Sequence, residues 1–288
     1  MNNLPYDFYN SIEHNHDTVI YSDTDSLFIN IKNVNIEDID LAISKSSKIA
    51  KLINDNITKY MNDYLLPKMG GNLNYNYTHF KTEIIAKSLL LSDAKKSYAY
   101  KLLAKEGVVL QKPKVKYVGL SVVRSDSAKL TQDMLRYIID DIILSDTPMS
   151  SQEMLKKATE FIIYCKNKFN ECIQTYNFDE IGIPCKWGGK KYASDPAGVD
   201  GMKLWNLITN SSTFSPMSGG RRIFIKNINY EKLPNKSKVT NLTIPFNIEQ
   251  ERVKSIFEKF NIKVDSDKMW DTLYSTVCRR MIELIKMS

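Results

Sequence analysis

The sequence predicts an α+β fold, and three observations carry that prediction. A β-branched run with acids at its centre, residues 19–31, reads as two short strands folded into a hairpin. Across residues 37–66 the apolar side chains Ile49, Leu52, Ile53, Ile57, Tyr60, Met61, Tyr64 and Leu65 recur every three or four positions, the period of an α-helix. Further strand-like segments are followed by two amphipathic stretches, 129–144 and 151–173, which place helices late in the chain.

Taken in order, the hairpin carries Asp23, Thr24 and Asp25 at its tip. The helix after Glu37 is stopped by Pro67 and the Gly70-Gly71 pair, and its apolar stripe calls for packing against a sheet. Strand-like pieces follow around 78–91, 97–103 and 114–123, with Glu106-Gly107 as a turn. Asp146-Thr147-Pro148 separates the two helices that come next. Residues 177–245 are punctuated by glycine and proline and are expected to be irregular. Two last helices are predicted over 248–260 and 268–287, and the chain has no internal repeat or low-complexity tract.

A chain of 288 residues with 43% hydrophobic content can bury one large core or two small ones. Its 40 Lys+Arg against 33 Asp+Glu give a net charge of +7, which suits a polyanionic partner without requiring one. No apolar run reaches the ~18 residues that would span a bilayer, and residues 1–16 are polar and acidic rather than signal-like, so no membrane role and a cytoplasmic location are expected. Cys165, Cys172, Cys185 and Cys278 lie far apart with no C-x-x-C pair, which excludes a disulfide framework or zinc ribbon and leaves buried thiols as the expectation.

Alternate residues of a strand share a face, so Asp23 and Asp25 point the same way from the hairpin tip with Thr24 opposite. Paired carboxylates suit Mg²⁺ or Mn²⁺, which keep positions open for phosphate and water. The competing reading is a solvated turn. Residues 81–136 hold 12 cationic against 5 anionic side chains, an excess equal to that of the whole chain. Interleaved with Tyr98, Tyr100 and Tyr117, these cations fit a sequence-independent grip on nucleic-acid backbone, or else a solvated basic face. Trp187 with Lys186, Lys190 and Lys191 forms a smaller basic-aromatic group that is equally a partial core.

The run Tyr21-Ser22-Asp23-Thr24-Asp25-Ser26 resembles the family B DNA polymerase motif Y-G-D-T-D-S, differing only at Ser22, where glycine is usual. The small-for-small change is tolerable unless the backbone there needs a positive φ. Downstream, Asp93-Ala94-Lys95-Lys96-Ser97-Tyr98 resembles the K-K-R-Y segment of that family, with Ser97 in place of arginine. Lys114 to Leu120 and Arg124-Ser125-Asp126 are similar to the K-x-x-G stretch and V-R-R-D run ahead of the thumb. Phe80-Lys81-Thr82-Glu83 resembles a segment whose glutamate lies near the metals. The order and spacing agree over about 18–136, and Gly201 to Asn206 and Gly219 to Ile225 look like late segments of T-even-phage-type members.

The resemblance implies a partial palm over residues 1–128, with an antiparallel sheet and a packed helix, and a mainly helical thumb over 129–288. It implies template-directed nucleotidyl transfer with two Mg²⁺ ions (or Mn²⁺) on Asp25, Asp23 and Glu83, Asp23 and Asp25 being catalytic. Lys95, Lys96, Tyr98, Lys114, Lys116 and Arg124 become the DNA-binding residues. Primer-template DNA and deoxynucleoside triphosphates are the implied substrates, with a sliding clamp as a further partner, although residues 279–288 show no clear clamp peptide. The family's D-x-x-S-L-Y-P-S segment, its K-x-x-x-N-S-x-Y-G fingers helix and an exonuclease D-x-E are absent from the sequence, so a separate N-terminal chain is expected and the isolated chain is expected to be inactive. The alternatives are a truncated polymerase, a non-catalytic DNA-holding remnant, or a D-x-D sugar-nucleotide transferase, in which the Lys-Lys-x-Tyr segment would have no role.

Overall fold

The computed structural model describes residues 18–23, 26–32, 34–35, 38–72, 74, 78–92, 94–189, 194–229, 231, 240–275 and 278–287. The fold is α+β, with antiparallel sheets and several helices. The chain divides into two compact units, Met1–Lys116 and Tyr117–Ser288.

In the first unit, β1 (Thr18–Asp23) and β2 (Ser26–Asn30) form the expected hairpin. Tyr21 pairs with Phe28, Ser22 with Leu27 and Asp23 with Ser26, with a register shift between Val19 and Tyr21. Ser22 is not among the residues of left-handed φ, so its backbone places no demand for glycine. Helix α1 (Ile39–Tyr60) starts at Asp38, whose carboxylate accepts from the Leu41 amide at 2.9 Å. It continues through a wider turn, Met61–Leu65, and a last turn, Leu66–Lys68, before Gly70 at φ +66° ends it. Ile53 and Ser46 mark its buried face.

Strands β3 (Ile84–Leu91), β4 (Tyr98–Lys105) and β5 (Val108–Val118) form a sheet in that order. The central strand carries the buried residues Ala99, Leu102, Leu103 and Ala104. Glu106 and Gly107 both take positive φ between β4 and β5, the conformation that a two-residue hairpin turn requires. The stretch before β3 is extended but unpaired over 78–83, so the strand begins later than expected. Asn54 of α1 fixes it, donating to the Phe80 carbonyl at 2.7 Å and accepting from the Phe80 amide at 2.6 Å.

The second unit is built around α2 (Lys129–Arg136, continuing through wider turns over Tyr137–Ile143), α3 (Ser151–Gln174) and the short α4 (Phe178–Ile181). Ser150 and Glu153 form a reciprocal capping box at the start of α3. Met134, Leu135, Ile138, Ile139 and Phe169 are fully buried in this core. The segment 177–245 is not irregular, contrary to expectation. It contains β6 (Ile183–Lys186), α5 (Ala197–Thr209), β7 (Gly219–Asn227) and β8 (Asn241–Pro245), the strands pairing in that order. Several of its glycines serve contact rather than looping. A Cβ on Gly201 would come within 2.6 Å of Thr243 Oγ1, and the Thr243 hydroxyl donates to the Gly198 carbonyl at 2.8 Å, which seats α5 on β8.

The chain closes with α6 (Gln250–Lys259), β9 (Lys263–Val264), paired to β7, then α7 (Ser266–Tyr274) and α8 (Cys278–Met287). The single helix expected over 268–287 is therefore two. All four cysteines are free; Cys165, Cys172 and Cys278 are buried, and burial pushes the Cys278 thiol up to about 12. No described helix is long and apolar enough to cross a membrane.

Candidate active site

The hairpin register puts Asp23 at the last position of β1, beside the tip, where the Ser26 hydroxyl donates to its carbonyl at 3.2 Å. The β3–β4 connection delivers Lys96 to it. The Ser92 amide donates to the Ser97 carbonyl at 3.0 Å, closing the turn, and Lys96 within it adopts φ +55°. A non-glycine residue in this left-handed region carries a cost of about 1 kcal/mol or more. From there its ammonium reaches the Asp23 carboxylate at 3.3 Å. The lysine side chain is 66% exposed and the aspartate 29%, so the pair is open to solvent on the lysine's side.

Aromatic packing fixes the hairpin against β4. The Tyr98 ring lies 5.5 Å from Tyr21 and 5.4 Å from Phe28, while Phe28 also meets Tyr100 at 6.1 Å. Tyr98 and Tyr100 stack along one face of β4, as alternate strand residues must. Burial, with the neighbouring Tyr100, Tyr21 and Asp23, raises the Tyr98 phenol above its ordinary value. Burial and then Glu83 do the same for Tyr100. Both therefore stay protonated at neutral pH and keep a hydroxyl to donate.

The remaining predicted residues are distributed as follows. Asp25 lies outside the described residues. Glu83 immediately precedes β3, whose first residue pairs with Lys105 and whose last pairs with Tyr98, so Glu83 and Lys96 stand at opposite ends of that strand pair. Glu83 also lines a cleft of about 630 Å³ between α1 and the start of β3, together with Asn54, His79 and Lys81. Lys95 is exposed in the Lys96 turn, and Lys114 and Lys116 are exposed on β5. Ser97 is buried, so the position where the related motif has arginine is turned inward here.

Arg124, in the second unit, binds Asp126 through two hydrogen bonds of 2.9 and 2.7 Å. That contact holds the Asp126 carboxyl below the usual carboxylate range. The Tyr117 hydroxyl binds both oxygens of Asp140 at 2.5 and 2.6 Å, which ties the end of β5 to the turns after α2. Burial, the hydrogen bond to Asp140 and its charge push the Tyr117 phenol far up. Trp187 is half-buried with Lys203 over its ring at 5.7 Å; Lys190 and Lys191 lie outside the described residues.

Sequence reasoning did not find the Tyr21–Phe28 pair as a packing surface for Tyr98 or the ion pair between Asp23 and Lys96. The signal for the first was present, because Tyr21 and Phe28 flank the hairpin and Tyr98 and Tyr100 share a parity. Among the described residues no three His, Cys, Asp or Glu side chains gather as a metal cage. The one described acid at the tip, Asp23, is a partly exposed hard-oxygen donor, the type that Mg²⁺ and Mn²⁺ take.

The hairpin and β4 thus bring a strand-end carboxylate, Asp23, together with Lys96 and the Tyr98–Tyr100 stack. The DNA polymerase family B model matches residues 3–181, more than half of the chain, and the chain belongs to that family. Its fold is similar to that of the family B DNA polymerase from the hyperthermophilic archaeon Pyrobaculum calidifontis, at a TM-score of 0.54 and 15% identity. That similarity covers 96% of this chain and only 28% of the archaeal one. No curated protein sequence matches the chain.

Proposed function

We propose that this chain supplies the C-terminal part of a DNA-directed DNA polymerase: the hairpin side of the palm active site, the DNA-holding Lys-Lys-x-Tyr turn, and the thumb. The observation that carries the reading is the convergence of Asp23, Lys96 and Tyr98, from two segments far apart in sequence, on one hairpin tip. In this reading the first unit contains the palm portion and the second the thumb.

Asp25 and Asp23 would hold two divalent ions, Mg²⁺ or Mn²⁺. Bound there, the ions supply activation of the primer 3′-hydroxyl and neutralisation of the triphosphate. The chain's own residues do the rest. The Asp23 carboxylate sets a negative field at the tip. Lys96 and Lys95 offer cations to the backbone or groove of the primer-template, and the protonated Tyr98 packs beside them as a neutral donor. Lys114 and Lys116 extend the basic surface of the first unit, and Arg124, in the second unit, is a further DNA contact oriented by Asp126. Positioning and charge neutralisation are what phosphoryl transfer asks of a protein.

The second palm aspartate and the triphosphate-binding fingers lysine must come from polypeptide outside these 288 residues, read here as a separate N-terminal chain. The hairpin supports this. Among the described residues it is a sheet of two strands, and Val19, Ile20 and Leu27 stand 38%, 44% and 37% exposed on it. Two strands alone are marginal in water, and added strands would cover those side chains. The T-even-phage likeness, an optional sliding clamp and a cytoplasmic site of action belong to the same proposal.

Primer extension with Mg²⁺ tests it, using this chain alone, then with the product of the reading frame immediately upstream, then with Asp25→Asn in the mixture. Extension confined to the wild-type mixture is the expected result. Duplex binding without extension in any mixture would favour a DNA-holding remnant instead.

A further inference from the structure

We propose that Lys112, with Lys114 and Lys116, forms a ladder along β5 that neutralises successive phosphates of one strand of a bound DNA duplex. The inference rests on the DNA-holding reading above and adds Lys112 and a register to it. Strand geometry places residues 112, 114 and 116 on one face at intervals of about 6.7 Å, a spacing close to that of successive phosphates along a polynucleotide.

All three lysines are exposed, whereas Val115, between two of them, is half-buried and turned to the other face. Among the described residues β5 is an edge strand of its sheet. The free charge is the second observation. In the same unit Lys81 pairs with Glu106 at 3.4 Å and Lys96 with Asp23 at 3.3 Å. The ammonium groups of Lys112, Lys114 and Lys116 have no ion pair among the described residues. Three cations in regular spacing with no internal counter-charge form a binding surface for a linear polyanion. Nothing in the row reads bases, so the contact is one of position rather than sequence.

A competing role exists for the same residues. Lysines and a proline such as Pro113 also guard an exposed edge strand against pairing with other chains. The two roles separate in the salt dependence of binding. Each phosphate neutralised on duplex DNA contributes about 0.9 to the slope of log K against log salt.

The test is fluorescence anisotropy of a labelled duplex with the full chain across a KCl series, for wild type, Lys112→Gln and the triple Lys112→Gln, Lys114→Gln, Lys116→Gln variant. Thermal melting checks that the fold is kept. The expected result is a slope reduced by about 0.9 in the single variant and about 2.7 in the triple. Wild-type slopes in both variants, with the duplex still bound, would overturn the ladder alone and leave edge protection. A wild-type chain that fails to bind duplex would overturn the ladder together with the DNA-holding reading.

Discussion

The Lys96 ammonium lies 3.3 Å from the Asp23 carboxylate, and the lysine reaches it from a left-handed backbone conformation. A strained residue that brings a cation to an acid at a hairpin tip is more useful for function than for stability. Lys96→Gly is therefore expected to leave stability within about 1 kcal/mol of wild type, since loss of a largely exposed ion pair is offset by relief of the backbone. Binding of primer-template should weaken about ten-fold or more, as for loss of a DNA contact worth 1–3 kcal/mol. Urea melts and duplex titration measure the two effects side by side.

Tyr98 joins hairpin to sheet through its ring, not its hydroxyl. Tyr98→Phe should change stability by less than about 1 kcal/mol. Tyr98→Ala, which abandons the contacts with Tyr21, Phe28 and Tyr100, should cost about 2–3 kcal/mol. Equilibrium unfolding of the two variants decides it; equal losses would show that the ring packing contributes little.

Much of this architecture was legible in the sequence because it rests on local patterns. The period of α1, its Pro67 and Gly70 stop, and the Glu106-Gly107 turn all behave as local chemistry dictates. The strands and helix of 177–245 were not legible. β6 and β8 are only four and five residues long, and β7 opens on Gly219-Gly220, which reads as a loop. In the fold a Cβ on Gly220 would stand 2.6 Å from the Ile244 carbonyl, so the glycine marks close strand contact. Asp23, Lys96 and Tyr98 could be nominated from the motif segments, but their meeting is a tertiary event that no spacing reveals. The Arg124–Asp126 pair was within reach of the sequence, the two residues being two apart.

That close packing is open to direct test at α5. Gly201→Ala places a Cβ 2.6 Å from Thr243 Oγ1 and 2.7 Å from the Thr243 amide nitrogen, where backbone must move. A loss of about 1–3 kcal/mol is expected, measured by thermal or chemical unfolding.

Glu180 gives a pH signature in the second unit. Burial works against its charge, but Lys129 and Lys168, the latter at 2.9 Å, outweigh it and hold the carboxyl below the usual range. A depressed folded pKa contributes stability that is present above the unfolded value and lost as pH falls through the folded one. Glu180→Gln should thus be about 1 kcal/mol less stable than wild type at pH 7. The gap should close on acidification below about pH 4. A gap that persists unchanged in acid would mean that the two lysines do not stabilise the charged form.

The claim at the centre of this account is that the hairpin tip where Asp23 meets Lys96 is part of a polymerase active site. The most direct measurement is the single-turnover rate of nucleotide incorporation by the chain mixed with the proposed N-terminal chain, comparing wild type with Asp23→Asn at saturating primer-template. The account predicts a rate reduced by about a hundred-fold, the scale of losing one charge aimed at a transition state, with duplex affinity essentially unchanged. An Asp23→Asn enzyme that incorporates nucleotide at the wild-type rate would contradict it.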